Sequence, residues 1–207
     1  MNEAGLVVSV MNLDITEYPA PDARPVIAPI QWVQYQLDTA ATVAGVIASD
    51  AEIRIHHNDP WKFHFFICDS LGNCAAIDFI DGVMVVHQTA QETMPVKVLA
   101  NNPYSTDLEY WENKELQVDM PSSARRFCTA AQMLEDYDPE TSEPATDYTF
   151  TILSNLTWIT PTQLSSAYDV QHRRITREPP APLHVLDQNV GLVSGLVAEQ
   201  LVLVRLD

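Results

Sequence analysis

Residues 63–87 read FHFFICDSLGNCAAIDFIDGVMVVH: three apolar runs rich in β-branched and aromatic residues, divided by two turn signals. The runs cover 63–68, 75–80 and 83–87, with Leu71-Gly72-Asn73 between the first two and Asp81-Gly82 between the last two. Asp-Gly is a strong two-residue hairpin signal, because both residues tolerate the positive φ such turns require. The stretch predicts an antiparallel meander and argues against a helix-separated parallel sheet.

Working outward, residues 6–13 form an apolar run that reads as a buried strand. Residues 14–29 carry four prolines and read as a surface loop. A short helix is expected over 30–37. Asp38 and Thr39 then serve as cap-type residues for a second helix carrying Val43, Val46 and Ile47 up to Ser49. Gly45 inside it costs about 1 kcal/mol relative to alanine. Beyond the meander, 96–100 reads as a short strand running into Asn101-Asn102-Pro103. Helices follow at about 106–113 and 123–136, the second with Ser122 or Ser123 as N-cap and with Phe127, Ala130, Ala131 and Leu134 on one face. Residues 148–156 read as a further helix. A hairpin over 163–170 and 174–178 precedes apolar segments at 184–186 and 192–206. Strands, then helices, then strands predict an α+β layered domain spanning 1–207.

With 207 residues and 46% hydrophobic content, the chain can bury one sizeable core. A formal net charge of −17 argues against nucleic acid or an anionic membrane surface as partner. Glu135, Asp136, Asp138, Glu140 and Glu143 cluster as a solvated loop, and no apolar run reaches the roughly 20 residues of a membrane span. Cys68, Cys74 and Cys128 have neither zinc-ligand nor C-x-x-C spacing. Cys68 and Cys74 flank a turn; a cross-strand disulfide is one reading, and two small unlinked core residues is the favoured one. His56 and His57 are adjacent, and neighbours on a strand point to opposite faces, so no metal site is expected there.

The opening Met1-Asn2-Glu3-Ala4-Gly5-Leu6, followed by the apolar strand and Asn12, resembles an internal motif of the choloylglycine hydrolase family. That family comprises bile salt hydrolases and penicillin V acylases. Trp32-x-x-Tyr35-x-Leu37-Asp38 with Ala41-Thr42-Val43 is similar to its helix pair, and Phe63-His64-Phe65 through Phe79 to its central hairpin. Val83 to His87, Val98 to Asn101 and Ser122 to Phe127 continue the match in order. Residues 163–177 resemble a late hairpin of the family, although Leu164 stands where tryptophan is frequent there.

The resemblance implies the four-layer αββα fold of N-terminal-nucleophile hydrolases, and hydrolysis of a linear amide by an N-terminal cysteine whose own α-amino group is the base. It assigns Asn12, through its backbone N–H, and Asn101, through its side-chain amide, to the oxyanion. It places Arg126 beside the nucleophile, favouring the thiolate. Read locally, Asn12 could cap a turn, Asn101 could be a turn former, and Arg126 could pair with a carboxylate. Arg126 falls early in its helix, where a cation opposes the macrodipole, so helix stability does not account for it.

The family nucleophile, with a closely following arginine and aspartate, has no counterpart here. The expectation is a sandwich incomplete at its N-terminus, inactive as written, with an internal methionine taken as the start. A non-catalytic relic that binds amphipathic acyl-amide ligands is the alternative. No cofactor or metal is implied. The expected partner is a small-molecule amide, with a homotetramer by resemblance and the compartment, cytoplasmic or periplasmic, left open.

Overall fold

The computed structural model describes residues 1–113, 119–142, 144–156, 165–169 and 172–178. In chain order the strands are β1 (Val7–Asn12), β2 (Val26–Ile27), β3 (Arg54–Ile55), β4 (Phe63–Cys68), β5 (Cys74–Ile80), β6 (Val83–Gln88), β7 (Ser165–Asp169) and β8 (Arg174–Glu178). The helices are α1 (Pro29–Thr39), α2 (Val43–Ala48), α3 (Tyr104–Glu112), α4 (Ser122–Glu135) and α5 (Ala145–Asn155).

The expected meander forms, and β1 joins it to give an antiparallel sheet in the order β1-β4-β5-β6. Asp81 and Gly82 sit at φ 52° and 75°, the paired left-handed residues that a tight hairpin needs. β4 and β5 are buried along nearly their whole length, which explains why their sequences run apolar instead of alternating. One sheet face packs Leu6, Phe65, Ile67, Ile77 and Phe79 against Trp32 of α1 and Val43 and Val46 of α2. The other packs Met11, Phe66 and Ala76 under Tyr104 of α3, Phe127 and Ala130 of α4 and Ile152 of α5. Trp32 anchors the first layer, its ring centroid 4.4 Å from that of Phe65.

Several local expectations are corrected. Residues 96–100 are not a strand. Val98, Leu99 and Ala100 lie buried over the second sheet face, and side chains bond the backbone at the two ends of the segment, at Val96 and Ala100. The Tyr104 hydroxyl donates to the Val96 carbonyl at 2.9 Å and accepts from its N–H at 3.2 Å. α2 is capped by Thr42, whose Oγ1 accepts the Gly45 N–H at 3.1 Å, whereas Thr39 ends α1 and donates back to the Tyr35 carbonyl. Asp69, from the β4–β5 turn, adds a buried carboxylate at the same helix start, accepting the Val43 N–H at 3.1 Å. Inside the proline-rich segment, Val26–Ile27 pairs in parallel with Arg54–Ile55, a two-residue contact too short to read from a pattern. His56 and His57 lie just past β3 in a turn, and His57 Nδ1 is 2.7 Å from the Tyr18 carbonyl oxygen. Strands β7 and β8 form the expected late hairpin. The ends of that expectation, at 163–164 and 170–171, and the apolar segments at 184–186 and 192–206 lie outside the described residues.

Cys68 and Cys74 are joined in a disulfide, which corrects the favoured reading of two unlinked thiols. The register explains it: the two residues are directly paired across β4 and β5, with Cα atoms 4.2 Å apart. Closing so short a loop restricts the unfolded chain by about 2 kcal/mol. Urea unfolding in the presence of reductant should therefore show a lower midpoint, with the unfolding free energy reduced by that amount. An unchanged midpoint would mean that the strand register alone holds this turn.

Candidate functional site

Asn12 is the last residue of β1, and its backbone direction follows from strand geometry. The Leu13 N–H donates to the Lys62 carbonyl at 3.0 Å, so Leu13 faces β4. Successive residues of an antiparallel strand alternate between facing the partner and facing away. The Asn12 N–H and C=O therefore both point off the outer edge of β1. Asn101 lies on that side, 89 residues later, and its Nδ2 donates to the Asn12 carbonyl at 3.0 Å. Arg126, from the early part of α4, donates from Nη2 to Asn101 Oδ1 at 2.7 Å. The structure thus brings Asn12, Asn101 and Arg126 into one connected group.

The polarity of that group is fixed. A guanidinium has only donors, so it must meet the oxygen of the Asn101 amide, and this turns the nitrogen toward Asn12. One hydrogen of Nδ2 is used on the Asn12 carbonyl, and the second is left to point elsewhere. The Asn101 backbone is held as well, its N–H donating to Ser123 Oγ at 2.8 Å. Ser123 was expected as a possible N-cap. The cap position falls instead on Pro121, which makes no side-chain cap bond, and the Ser123 hydroxyl is spent on Asn101.

Beneath this group lies a buried polar cluster that sequence reasoning missed. His64 and Asp78 are 0% and 1% exposed, and His64 Nδ1 is 2.8 Å from Asp78 Oδ1. His64 Nε2 is 2.7 Å from the carbonyl oxygen of Ala100, the residue before Asn101. The second oxygen of Asp78 accepts the Tyr104 N–H at 3.0 Å, holding the start of α3. A signal for the pair was present: each is a lone polar residue in an apolar strand, and each lies four residues from the paired cysteines that flank the turn.

Asp107 of α3 completes the cluster. It is fully buried; Oδ1 accepts from Asn102 Nδ2 at 2.7 Å, while Oδ2 has no partner. Burial pushes its carboxyl up to about 6, against the opposing pull of the Asn102 hydrogen bond and the nearby His64 and Arg126 charges; Asp78 adds to the rise. The native state therefore holds a proton that the unfolded chain has released between about pH 4 and pH 6, and stability falls as pH rises through that window. Asp107→Asn keeps the acceptor for Asn102 and removes the titration. Thermal melts from pH 4 to 7.5 should show the variant losing this slope and exceeding the parent above pH 6, by roughly 2–3 kcal/mol. Parallel pH profiles for the two proteins would refute the assignment.

This arrangement, an α+β core with a strand edge carrying backbone and amide donors, corresponds to known architectures. The structure is similar to penicillin V acylase from Agrobacterium tumefaciens, with a TM-score of 0.66 and 24% identity, covering 86% of this chain and 61% of the acylase. It is equally similar to a variant of conjugated bile acid hydrolase from Clostridium perfringens, with a TM-score of 0.66, 16% identity and coverage of 86% and 71%. Over the matched residues the chain shares the fold of these two hydrolases. In sequence, the chain is 29% identical over 157 residues to penicillin V acylase of Pectobacterium atrosepticum, a match covering 67% of this chain and 41% of that protein. No family model matches the chain. In sequence and in fold the chain is thus similar to penicillin V acylases, and in fold also to a conjugated bile acid hydrolase. It spans less than half the length of the curated acylase it matches.

Among the described residues no helix is long and apolar enough to cross a membrane.

Proposed function

We propose that these residues form the oxyanion-stabilising part of a linear amide hydrolase site, of the kind that cleaves penicillin V or a conjugated bile salt. The observation that carries this reading is the convergence of two N–H donors on one strand edge. The Asn12 backbone N–H and the Asn101 Nδ2 group both lie on the outer side of β1, and Arg126 prevents the Asn101 amide from flipping. When a nucleophile attacks an amide carbon, negative charge develops on the carbonyl oxygen. Donors already aimed at that position stabilise it without reorganising. Arg126, next to this edge, supplies the positive charge that favours a thiolate over a thiol.

The nucleophile is not among the described cysteines. Cys68 and Cys74 are bonded to each other, and Cys128 is a buried thiol within α4. The reading therefore requires a nucleophile other than these three cysteines to reach the outer edge of β1. The expected partner is a small-molecule amide, and assembly into a homotetramer belongs to the same proposal.

The experiment is to isolate the native protein from its source, determine its intact mass and N-terminal residue, and assay it on penicillin V and glycocholate beside the 207-residue chain. A heavier protein that begins with cysteine and hydrolyses one of these amides supports the proposal. A native mass equal to that of the 207 residues, with no turnover, would overturn it in favour of a pocket that only binds acyl-amide ligands.

A further inference from the structure

The oxyanion reading requires the Asn101 amide to be held in place before substrate arrives, and that amide is on a loop. Its neighbour Ala100 is buried with no strand partner, so the loop has no ladder to hold it. What it has is His64. The imidazole is fully buried between two acceptors, the Ala100 carbonyl at 2.7 Å and the Asp78 carboxylate at 2.8 Å. The Ala100 carbonyl can only accept, so His64 Nε2 carries hydrogen and donates to it, while Asp78 engages Nδ1 through one oxygen and the Tyr104 N–H through the other.

We infer that His64 is a positioning residue for the Asn101 donor: through the Ala100 carbonyl it fixes the backbone from which Asn101 reaches Asn12 and Arg126. His64 stands on β4, the strand paired with β1, and lies directly opposite Met11, the residue before Asn12. One rigid rung of the sheet therefore sets both halves of the site. Met11 leads into the Asn12 edge, and His64 ties down the segment that carries Asn101. Asp78, on the adjacent strand β5, orients the ring through its contact with Nδ1 and also anchors the start of α3. Ser123 of α4 holds the Asn101 N–H from the other side, so the peptide between Ala100 and Asn101 is gripped at its carbonyl and at its N–H.

This inference rests on the oxyanion reading only for its consequence in catalysis; the positioning itself is testable without turnover. The two amide replacements of His64 separate the two arms. His64→Gln can place a donor near the former Nε2, toward Ala100, whereas His64→Asn can place one near Nδ1, toward Asp78. Hydrogen exchange of the Asn101 side-chain amide in the 207-residue chain is the first readout. It should accelerate about tenfold or more in His64→Asn and stay within about threefold of the parent in His64→Gln. In the native amidase, His64→Asn should lower kcat by about tenfold to a hundredfold, with KM within about threefold.

Equal effects of the two variants on Asn101 exchange would show that His64 is merely structural and would overturn the inference. If exchange follows the expected order while kcat does not, His64 does position Asn101, and the oxyanion assignment is what fails. Should neither variant fold, the unmodified chain still decides. A nuclear-magnetic-resonance coupling through the hydrogen bond from His64 Nε2 to the Ala100 carbonyl is expected, and a ring lacking hydrogen at Nε2 would overturn the proposal.

Discussion

Under the proposed amide hydrolysis, Asn101→Ala is expected to lower kcat by about two to three orders of magnitude in any form of the protein that turns over penicillin V or glycocholate, the loss typical of one oxyanion donor. KM should move much less, because the ground-state carbonyl oxygen carries little charge for the amide to stabilise. The same substitution also removes the acceptor of the Arg126 hydrogen bond and the donor to the Asn12 carbonyl. Each is half-buried and partly solvated once exposed, so the stability change should be about 1 kcal/mol. Measuring kcat, KM and the melting temperature together separates the two effects. Turnover within threefold of the parent in a variant that melts normally would end the assignment of Asn101. Arg126→Lys offers a partial control: the charge persists, but a lysine reaches as a single flexible point and lacks the planar fork that locks the amide.

Asn12, Asn101 and Arg126 are all named as site candidates by resemblance; what the local pattern makes legible is the elements that carry two of them. Asn12 closes an apolar strand and Arg126 falls early in an amphipathic helix, and both elements form close to their expected bounds. Asn101 has no such frame, since its surroundings, Asn-Asn-Pro, read equally well as a turn. Residues 96–100 were misread because burial and strand pairing leave the same apolar signature. What separates them is who satisfies the backbone, and here the partners are the Tyr104 hydroxyl and the His64 ring. Those are tertiary contacts that no local window contains. The disulfide was visible as a possibility, and only the register, which pairs Cys68 directly with Cys74, decides it. Ser123 shows a further limit. A serine at a helix start is normally spent on capping, and its use on a distant backbone N–H depends on how α4 packs against the loop at Asn101.

The largest stability effect is expected from Asp78→Ala. Asp78 is 1% exposed, is hydrogen-bonded to His64 and accepts from the Tyr104 N–H, so its removal strands two buried partners at once. Breaking one side of such a buried pair costs about 3–5 kcal/mol, because the partner is left without compensation in a dry environment. Against a typical total of about 5–15 kcal/mol, that loss brings the domain close to unfolding at ordinary temperatures. Removing both partners should cost far less than the sum. In His64→Leu/Asp78→Leu the buried polar pair is gone and apolar volume replaces it, leaving chiefly the unpaired Tyr104 N–H and Ala100 carbonyl. Urea unfolding of the two single variants and the double variant forms a thermodynamic cycle. A coupling of about 2 kcal/mol or more between the sites identifies His64 and Asp78 as one electrostatic unit. Additive losses would instead mean that each residue acts through its own backbone contact. The double variant carries a second meaning for the site, since it retains the fold while releasing the Ala100 carbonyl. If it folds yet leaves the Asn101 amide freely exchanging, the order of the donor comes from the buried pair, and the stability of the sheet alone does not supply it.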